Sequence, residues 1–315
     1  MMDRNQTIDI IRGCCMIYIV GIFHLSQYLG KSYYLNNNVY GNSIMWSCLG
    51  AFSLISGYLI GKKYNCNKFK DALVFYKRRV VRFYPLFFFA SICLLIIGFN
   101  DTLQTFYALV GMAPFVSHKP LTLWYISMIM LFYLVSPIVL AQHGRRRFVR
   151  CMLVFSIFVI CRLFIYIDLR FLFNLLVYLV GISAACINLN KAFGKSKYIC
   201  GVLVLYALLF VNLDIMSHSI VRRLVDIVGV VVIVVLAKLI GNVVSNNNRI
   251  VYFLSYVSMS AYLFHRLTYW ICLQILSPCS TMEMALFLMF IAFPVGLAFA
   301  YYVQKLYDHI VSHLA

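Results

Sequence analysis

Acidic residues are scarce in this chain of 315 residues, which carries only nine of them and a single glutamate, Glu283. Charged side chains make up 11% of the sequence and hydrophobic ones 63%, whereas soluble domains are about a quarter charged. With a mean hydropathy of +0.89, the chain has too few polar side chains to cover a water-soluble globule. The composition therefore excludes an ordinary soluble protein and predicts an all-α, polytopic membrane protein.

The shortage of acids leaves 27 basic residues against nine acidic ones and a formal net charge of +18. Such a charge would suit nucleic acid if it covered one face of a soluble domain. Here the basic residues stand at the ends of apolar runs, where they would meet anionic lipid or an anionic cofactor. We therefore predict membrane lipids as partners and no nucleic acid.

Metal-binding spacings are also lacking, because the eleven cysteines form no Cys-x-x-Cys and no Cys/His cluster. Most lie within apolar runs, as Cys93, Cys161 and Cys272 do, and buried reduced thiols are the simplest interpretation. We predict neither disulfides nor a metal. The N-terminus does not resemble a cleaved signal peptide, since Arg12 interrupts its apolar run and no small-residue cleavage site follows.

Long apolar runs fill the sequence, and a helix needs about 20 such residues to cross the hydrocarbon core. They predict about ten transmembrane helices in one domain over residues 1–315, with no separate soluble domain. The predicted spans are 8–29, 43–61, 83–99, 121–141, 151–167, 169–188, 198–214, 220–240, 250–276 and 284–307. The shorter apolar stretch 101–116 is predicted to be re-entrant or interfacial, and a tight hairpin is expected at 168–170.

The basic residues also indicate how the spans face. With the N-terminus in the cytoplasm, 19 basic residues fall in cytoplasmic segments, five in outer loops and three inside spans. Cytoplasmic loops of membrane proteins carry an excess of Lys and Arg. The count predicts that both termini are cytoplasmic.

Ionisable side chains inside spans cost at least about 2.5–3.5 kcal/mol on insertion scales, so each needs a partner or a function. The set comprises Asp9, Arg12, His24, Arg162, Asp226, His265 and Arg266. Asp9 and Arg12 are three residues apart and are expected to pair, as is Asp226 with Arg222 or Arg223. We favour a structural role for Arg162 and Asp226.

His24 has no acidic neighbour along its own helix. A neutral imidazole both donates and accepts hydrogen bonds, and it can transfer protons near neutral pH. The residues alone leave two alternatives open, a general base or a hydrogen-bonded packing histidine.

A second group of interest is Arg79 and Arg82, which are three residues apart and so project from one helical face at the predicted cytoplasmic surface. Guanidinium groups bind phosphate oxygens in a bidentate manner. The alternative is a positive-inside anchor. Pro85 follows closely and is expected to open or kink the next span.

Five motifs in order along the chain resemble the membrane acyltransferase 3 family. They are Asp9-x-x-Arg12-Gly13 with His24, Phe52-Ser-Leu-Ile-Ser56-Gly57, Arg79-x-x-Arg82-x-x-Pro85, Leu123-Trp124 with Tyr133 and Pro137, and Leu254-Ser-Tyr-Val-Ser258-Met-Ser260-Ala-Tyr262-Leu-Phe-His265. The resemblance covers the whole chain. It implies a ten-span enzyme of the bacterial inner membrane that transfers an acyl group, usually acetyl, from coenzyme A to a hydroxyl of a cell-envelope, capsular or O-antigen sugar.

The resemblance also implies roles for His24, Arg12, Arg79 and Arg82, and we add the other residues named below as our own hypothesis. His24 and Arg12 are expected to be catalytic. The acyl-CoA, which is a co-substrate, is expected to be bound by Arg78, Arg79, Arg82 and Ser56. The glycan or lipid-linked sugar acceptor is expected to contact Trp124, Tyr262, His265, Arg222 and Arg223, with Asp168 and Arg170 beside them at the outer end.

The spacing of Arg12 and His24 departs from the family pattern, because eleven residues separate them instead of ten. In an ideal helix, twelve steps of about 100° place the two side chains roughly 120° apart. A π-bulge would absorb the extra residue.

Two other functions fit the same residues. A transporter or flippase could use buried Arg, His and Asp to line a pathway. In a non-catalytic subunit of a polysaccharide assembly, Arg79 and Arg82 would only anchor the topology. The sequence does not identify the acyl group, the acceptor, the side on which the ester forms or the oligomeric state.

Overall fold

The computed structural model describes residues 5–30, 33–185, 196–213, 219–245, 248–276 and 278–314, which contain helices and no strand. The α-helices are α1 (Gln6–Met16), α2 (Val39–Lys63), α3 (Phe69–Ile96), α4 (Thr102–Leu109), α5 (Leu123–Leu140), α6 (Gly144–Cys161), α7 (Leu169–Ala184), α8 (Ser196–Val211), α9 (Ser219–Val243), α10 (Arg249–Ile275), α11 (Thr281–Phe287) and α12 (Phe293–Leu314). Two π-helical segments, Ile17–His24 and Leu288–Ala292, extend α1 and join α11 to α12.

Helices overlap all ten predicted spans, and the all-α membrane fold is confirmed. Six described stretches are long and apolar enough to cross a membrane: Gln6–Tyr28, Val39–Lys63, Phe69–Ile96, Leu123–Leu140, Arg222–Val243 and Thr281–His313. The total of ten and the inward-facing termini stay predictions. Residues 186–188 and 214 of two predicted spans lie outside the described residues, as do Arg4, Lys31, Lys191 and Lys195 of the charge count.

The described residues fall into two compact units. One comprises the described parts of 1–52 and 190–306, and the other those of 53–189 and 307–315. In the first unit α1 packs against α9 and α10, and Ser255 of α10 donates to the Asp9 carboxylate over 2.6 Å. In the second unit α3 packs against α4 and α5, and α6 packs against α7.

The sequence left open whether a π-bulge lies between Arg12 and His24, and the structure has a π-helical segment there, Ile17–His24. If the bulge absorbs one residue, about eleven α-helical steps remain, and Arg12 and His24 come to within about 20° of one helical face. Two neighbours hold the segment. Tyr269 donates its hydroxyl to the Val20 carbonyl over 3.1 Å, and a Cβ at Gly21 would meet the Phe293 ring at 3.0 Å.

Two predicted boundaries are wrong. Residues 83–99 were expected to form a span that begins near Pro85. The helix α3 instead begins at Phe69, continues past Pro85 and ends at Ile96. Proline has no N–H for the carbonyl four residues earlier, which is that of Val81. Tyr307 of α12 donates its hydroxyl to that carbonyl instead, so the helix continues without an unsatisfied acceptor.

The hairpin between α6 and α7 was expected at 168–170, but the connection occupies 162–168. Asp168 caps α7, because its side chain accepts a hydrogen bond from the Arg170 N–H over 2.9 Å. An Asp at this position satisfies one of the free N–H groups at a helix start. The sequence pattern therefore placed 168–170 in the turn, whereas Asp168 is the N-cap of α7 and the next two residues begin that helix.

Helices α2 and α7 cross at backbone contact through three glycines. A Cβ at Gly57 would overlap the Tyr178 carbonyl, one at Gly61 would overlap the Ile182 carbonyl, and one at Gly181 would overlap the Leu54 carbonyl. Gly57 and Gly61 form the Gly-x-x-x-Gly spacing that allows close approach of membrane helices. This close crossing places Ser53 and Ser56 beside α5 and α7.

We expect Gly181→Ala to destabilise the protein by about 1–3 kcal/mol, because the added methyl group must displace the backbone of α2. Thermal unfolding in detergent measures the change. Gly201→Ala on α8 is the matched control, since a Cβ there meets nothing within 4 Å. An unchanged unfolding temperature for Gly181→Ala would contradict the close crossing.

Candidate functional site

His24 ends the π-helical segment and faces α10. Its imidazole stacks on that of His265, with ring centroids 4.7 Å apart and planes inclined by 4°. Both side chains are buried, with exposed fractions of 9% for His24 and 2% for His265. The structure therefore brings together two histidines that the sequence assigned to different roles, catalysis and sugar binding.

The hydrogen bonds of His265 define its tautomer. Its Nδ1 lies 2.8 Å from the carbonyl oxygen of Tyr262, and a carbonyl only accepts. Nδ1 therefore carries the proton, and Nε2 of the neutral ring is left as an acceptor. Nε2 of His265 and Nδ1 of His24 are both buried, and neither has a hydrogen-bond partner among the described residues.

Arg266 supplies a positive charge beside the two imidazoles. It is buried and donates from Nη2 to the Gln27 amide oxygen over 2.8 Å. Tyr262 is close as well, with its ring centroid 6.3 Å from that of His24. We call His24, Tyr262, His265 and Arg266 the histidine site. A fixed cation and a tyrosine hydroxyl in a buried site can stabilise an oxyanion.

A second group forms around Arg79 in the other compact unit. The Arg79 guanidinium lies 5.1 Å from the ring centroid of Tyr64, 5.6 Å from that of Phe75 and 5.4 Å from that of Tyr133. Its Nε is buried and has no hydrogen-bond partner within the part of the chain that the structure describes. Cation–π contacts of this kind hold a guanidinium in place while its other N–H groups stay free to bind. We call Arg79 with these three rings the arginine site.

Ser56 belongs to the arginine site, because its hydroxyl lies 3.1 Å from that of Tyr133. Tyr133 therefore contacts both Ser56 and Arg79, the two residues that were expected to bind acyl-CoA together. Arg78 and Arg82 are exposed on α3, while Arg79 is half-buried. Arg78, Arg79 and Arg82 therefore have different surroundings, although they form one basic cluster along the sequence.

The remaining predicted residues lie elsewhere. The pairing of Asp226 is confirmed, since it accepts from Arg223 over 2.6 Å and from Ser43 over 2.6 Å. Arg223 also lies over the Trp46 ring, with 4.9 Å to its centroid. These contacts give Arg223 a structural role, and its role in sugar binding stays a prediction.

Arg12, Arg222 and Trp124 are half-buried, and Trp124 packs edge-on against Tyr125. Asp168 accepts from Lys119 and lies 3.9 Å from Arg170. Burial lowers the pKa of Lys119 to about 8, with a further contribution from the nearby Arg170 charge. In the part of the chain that the structure describes, no three His, Cys, Asp or Glu side chains come together as metal ligands would.

Several residues of the two sites were not singled out from the sequence. Gln27, near the end of the first span, accepts from Arg266, while Tyr269 and Phe293 contact that span from other helices, and no local pattern marks the three residues. Tyr64 and Phe75 flank the basic cluster and could have been noticed, because aromatic residues beside Arg suit cation–π contacts. The Gly57-x-x-x-Gly61 spacing was also available.

Comparison with known proteins gives one match. A family model described as an acyltransferase domain, Acyl_transf_3, matches residues 5–304. No curated protein and no solved structure matches the chain. Since the matched region contains the histidine site and the arginine site and nearly the whole sequence, this membrane protein belongs to the acyltransferase 3 family.

Proposed function

We propose that the protein is an O-acyltransferase of the bacterial inner membrane that moves an acyl group, most simply acetyl, from acyl-CoA to a hydroxyl of a cell-envelope, capsular or O-antigen sugar. The observation that carries the proposal is the buried His24 ring with an unpaired Nδ1, stacked on His265 beside Arg266. A buried imidazole with a free nitrogen suits proton transfer in a site that excludes water. Membership of an acyltransferase family supports the same reaction.

His24 acts as the general base in this proposal. It accepts the proton of the acceptor hydroxyl while that oxygen attacks the thioester carbonyl carbon. The carbon–oxygen bond of the ester forms and the carbon–sulfur bond of the thioester breaks. The departing thiolate takes the proton back from His24, so that the products are an ester and free coenzyme A and the imidazole is neutral again.

The negative charge that develops on the carbonyl oxygen needs hydrogen-bond donors. Tyr262 and Arg266 of the histidine site are suited to this role, and Arg12 shares a helical face with His24 once the π-helical segment is taken into account. Donors fixed before the reaction stabilise the transition state without reorganisation.

The arginine site would bind the anionic head of acyl-CoA. Arg79 is held by Tyr64, Phe75 and Tyr133, and the exposed Arg78 and Arg82 add charge on the same helix. Guanidinium groups match phosphate oxygens, which supports acetyl-CoA as the co-substrate. With both termini in the cytoplasm, as predicted, acyl-CoA would bind on the cytoplasmic side.

Calorimetric titration of acetyl-CoA into the purified protein in nanodiscs tests the proposal. We expect saturable binding, and we expect coenzyme A to be released when a sugar acceptor is added. Binding without coenzyme A release in the presence of acceptor would favour a transporter or flippase. No binding of any short acyl-CoA would favour a non-catalytic subunit of a polysaccharide assembly.

A further inference from the structure

The histidine site contains two unused hydrogen-bonding nitrogens on two stacked rings. Nδ1 of His24 and Nε2 of His265 are buried and find no partner in the described ranges, and the two rings are nearly parallel with centroids 4.7 Å apart. A buried polar atom without a partner costs about 1–3 kcal/mol. A ligand that supplies partners for both nitrogens would remove that cost.

We propose that His265 positions the acceptor through a hydrogen bond from a second hydroxyl group, adjacent to the one that His24 deprotonates. This inference rests on the proposed function and adds the class of acceptor, a sugar unit with two neighbouring hydroxyls. His24 acts on one hydroxyl, and Nε2 of His265 accepts from the next.

His265 is oriented to accept a hydrogen bond from the acceptor sugar. Its Nδ1–H donates to the Tyr262 carbonyl, so the tautomer is fixed and the ring cannot rotate without losing that bond. A neutral ring with an occupied donor offers one acceptor only.

The stacking favours neighbouring hydroxyls over distant ones. Because the two rings stack with their centroids 4.7 Å apart, their two unpaired nitrogens belong to one site. Hydroxyl groups on adjacent ring carbons can each reach one imidazole at hydrogen-bond length, about 2.7–2.8 Å. A ligand with a single hydroxyl would leave one buried nitrogen unpaired.

Two variants of His265 separate the two ring nitrogens. His265→Asn keeps an amide N–H near the Nδ1 position, for the Tyr262 carbonyl, and loses the acceptor at Nε2. His265→Gln keeps an acceptor near the Nε2 position and loses the Nδ1 donor. Acetyl transfer from acetyl-CoA would be compared for two probes, trans-1,2-cyclohexanediol and cyclohexanol, at the same concentrations.

For the wild type we expect kcat/KM to be about tenfold or more higher for the diol than for cyclohexanol, which corresponds to one buried hydrogen bond. His265→Asn should abolish that preference, and His265→Gln should retain most of it. Both variants should still bind acetyl-CoA, which shows that they are folded.

Equal rates for the diol and cyclohexanol in the wild type would overturn the inference, as would a full preference in His265→Asn. Transfer to neither probe, with acetyl-CoA binding and transfer to an envelope glycan intact, would overturn it too. Absence of acetyl-CoA binding by the wild type would instead contradict the proposed function. The two failures are therefore distinguishable.

Discussion

Replacement of His24 by alanine is expected to lower the rate of acyl transfer by about 10²–10⁴-fold, the usual contribution of a positioned general base. The reason is that Nδ1 of His24 is a buried, unpaired nitrogen, and no other basic group is assigned to take the hydroxyl proton. The loss should appear in kcat, because the ring is not assigned to bind coenzyme A. Steady-state measurement of coenzyme A release with a saturating acceptor measures it.

His313→Ala is the matched control for that variant, since His313 is exposed at the end of α12. It should keep wild-type activity. Binding of acetyl-CoA should be preserved in both variants, which separates loss of chemistry from loss of fold. Undiminished transfer by a well-folded His24→Ala protein would remove His24 from the mechanism and leave a packing histidine.

Replacement of Arg79 by alanine is expected to raise the Kd for acetyl-CoA by about tenfold to a hundredfold, as loss of a charge-assisted contact of about 1.5–3 kcal/mol requires. Arg79→Lys should weaken binding nearly as much, because lysine has no planar fork to lie between Tyr64 and Tyr133 and reach a phosphate. Arg82→Lys should cost less, since Arg82 is exposed. Calorimetry on the four proteins gives the comparison.

Arg146→Ala, at an exposed position of α6, controls for the general loss of positive charge. It should leave the Kd nearly unchanged at moderate salt, where an exposed charge contributes little. Equal Kd values for wild type, Arg79→Ala and Arg82→Lys would mean that α3 only anchors the topology and that coenzyme A binds elsewhere.

Local sequence patterns predicted the features that depend on neighbours along one helix. The helical spacing limited the expected partner of Asp226 to Arg222 or Arg223, and the structure shows Arg223. The extra residue between Arg12 and His24, relative to the family spacing, raised the question of a π-bulge. A helix overlaps each of the ten apolar runs that were predicted to be spans, because a helix must be apolar to cross a membrane. For these features, spacing rules that apply within one helix were sufficient.

Contacts between distant segments could not be predicted in this way. The stacking of His24 on His265 depends on how α10 packs against the first span, which periodicity does not specify. The continuity of α3 through Pro85 depends on the Tyr307 hydroxyl, from the far end of the chain. Arg147 was counted as a loop cation, yet it is buried and donates to the Gly61 carbonyl and Asn65.

The surroundings of each arginine in the basic cluster of α3 could not be predicted from the sequence either. The charge of this cluster was evident from the sequence, but the difference between Arg79 and Arg82 was not. That difference arises because Tyr133 of α5 and Tyr64, which follows α2, close around only one of the two side chains. Charge patterns locate a basic surface, and tertiary packing decides which residue of it is held in place.

The decisive measurement is transfer of radiolabel from acetyl-CoA to an envelope glycan by the purified protein in nanodiscs. We expect base-labile label in the glycan, coenzyme A released in equal amount, and loss of both in His24→Ala. Label that crosses the bilayer as intact acetyl-CoA, or coenzyme A release that is the same in wild type and His24→Ala, would contradict the proposed function.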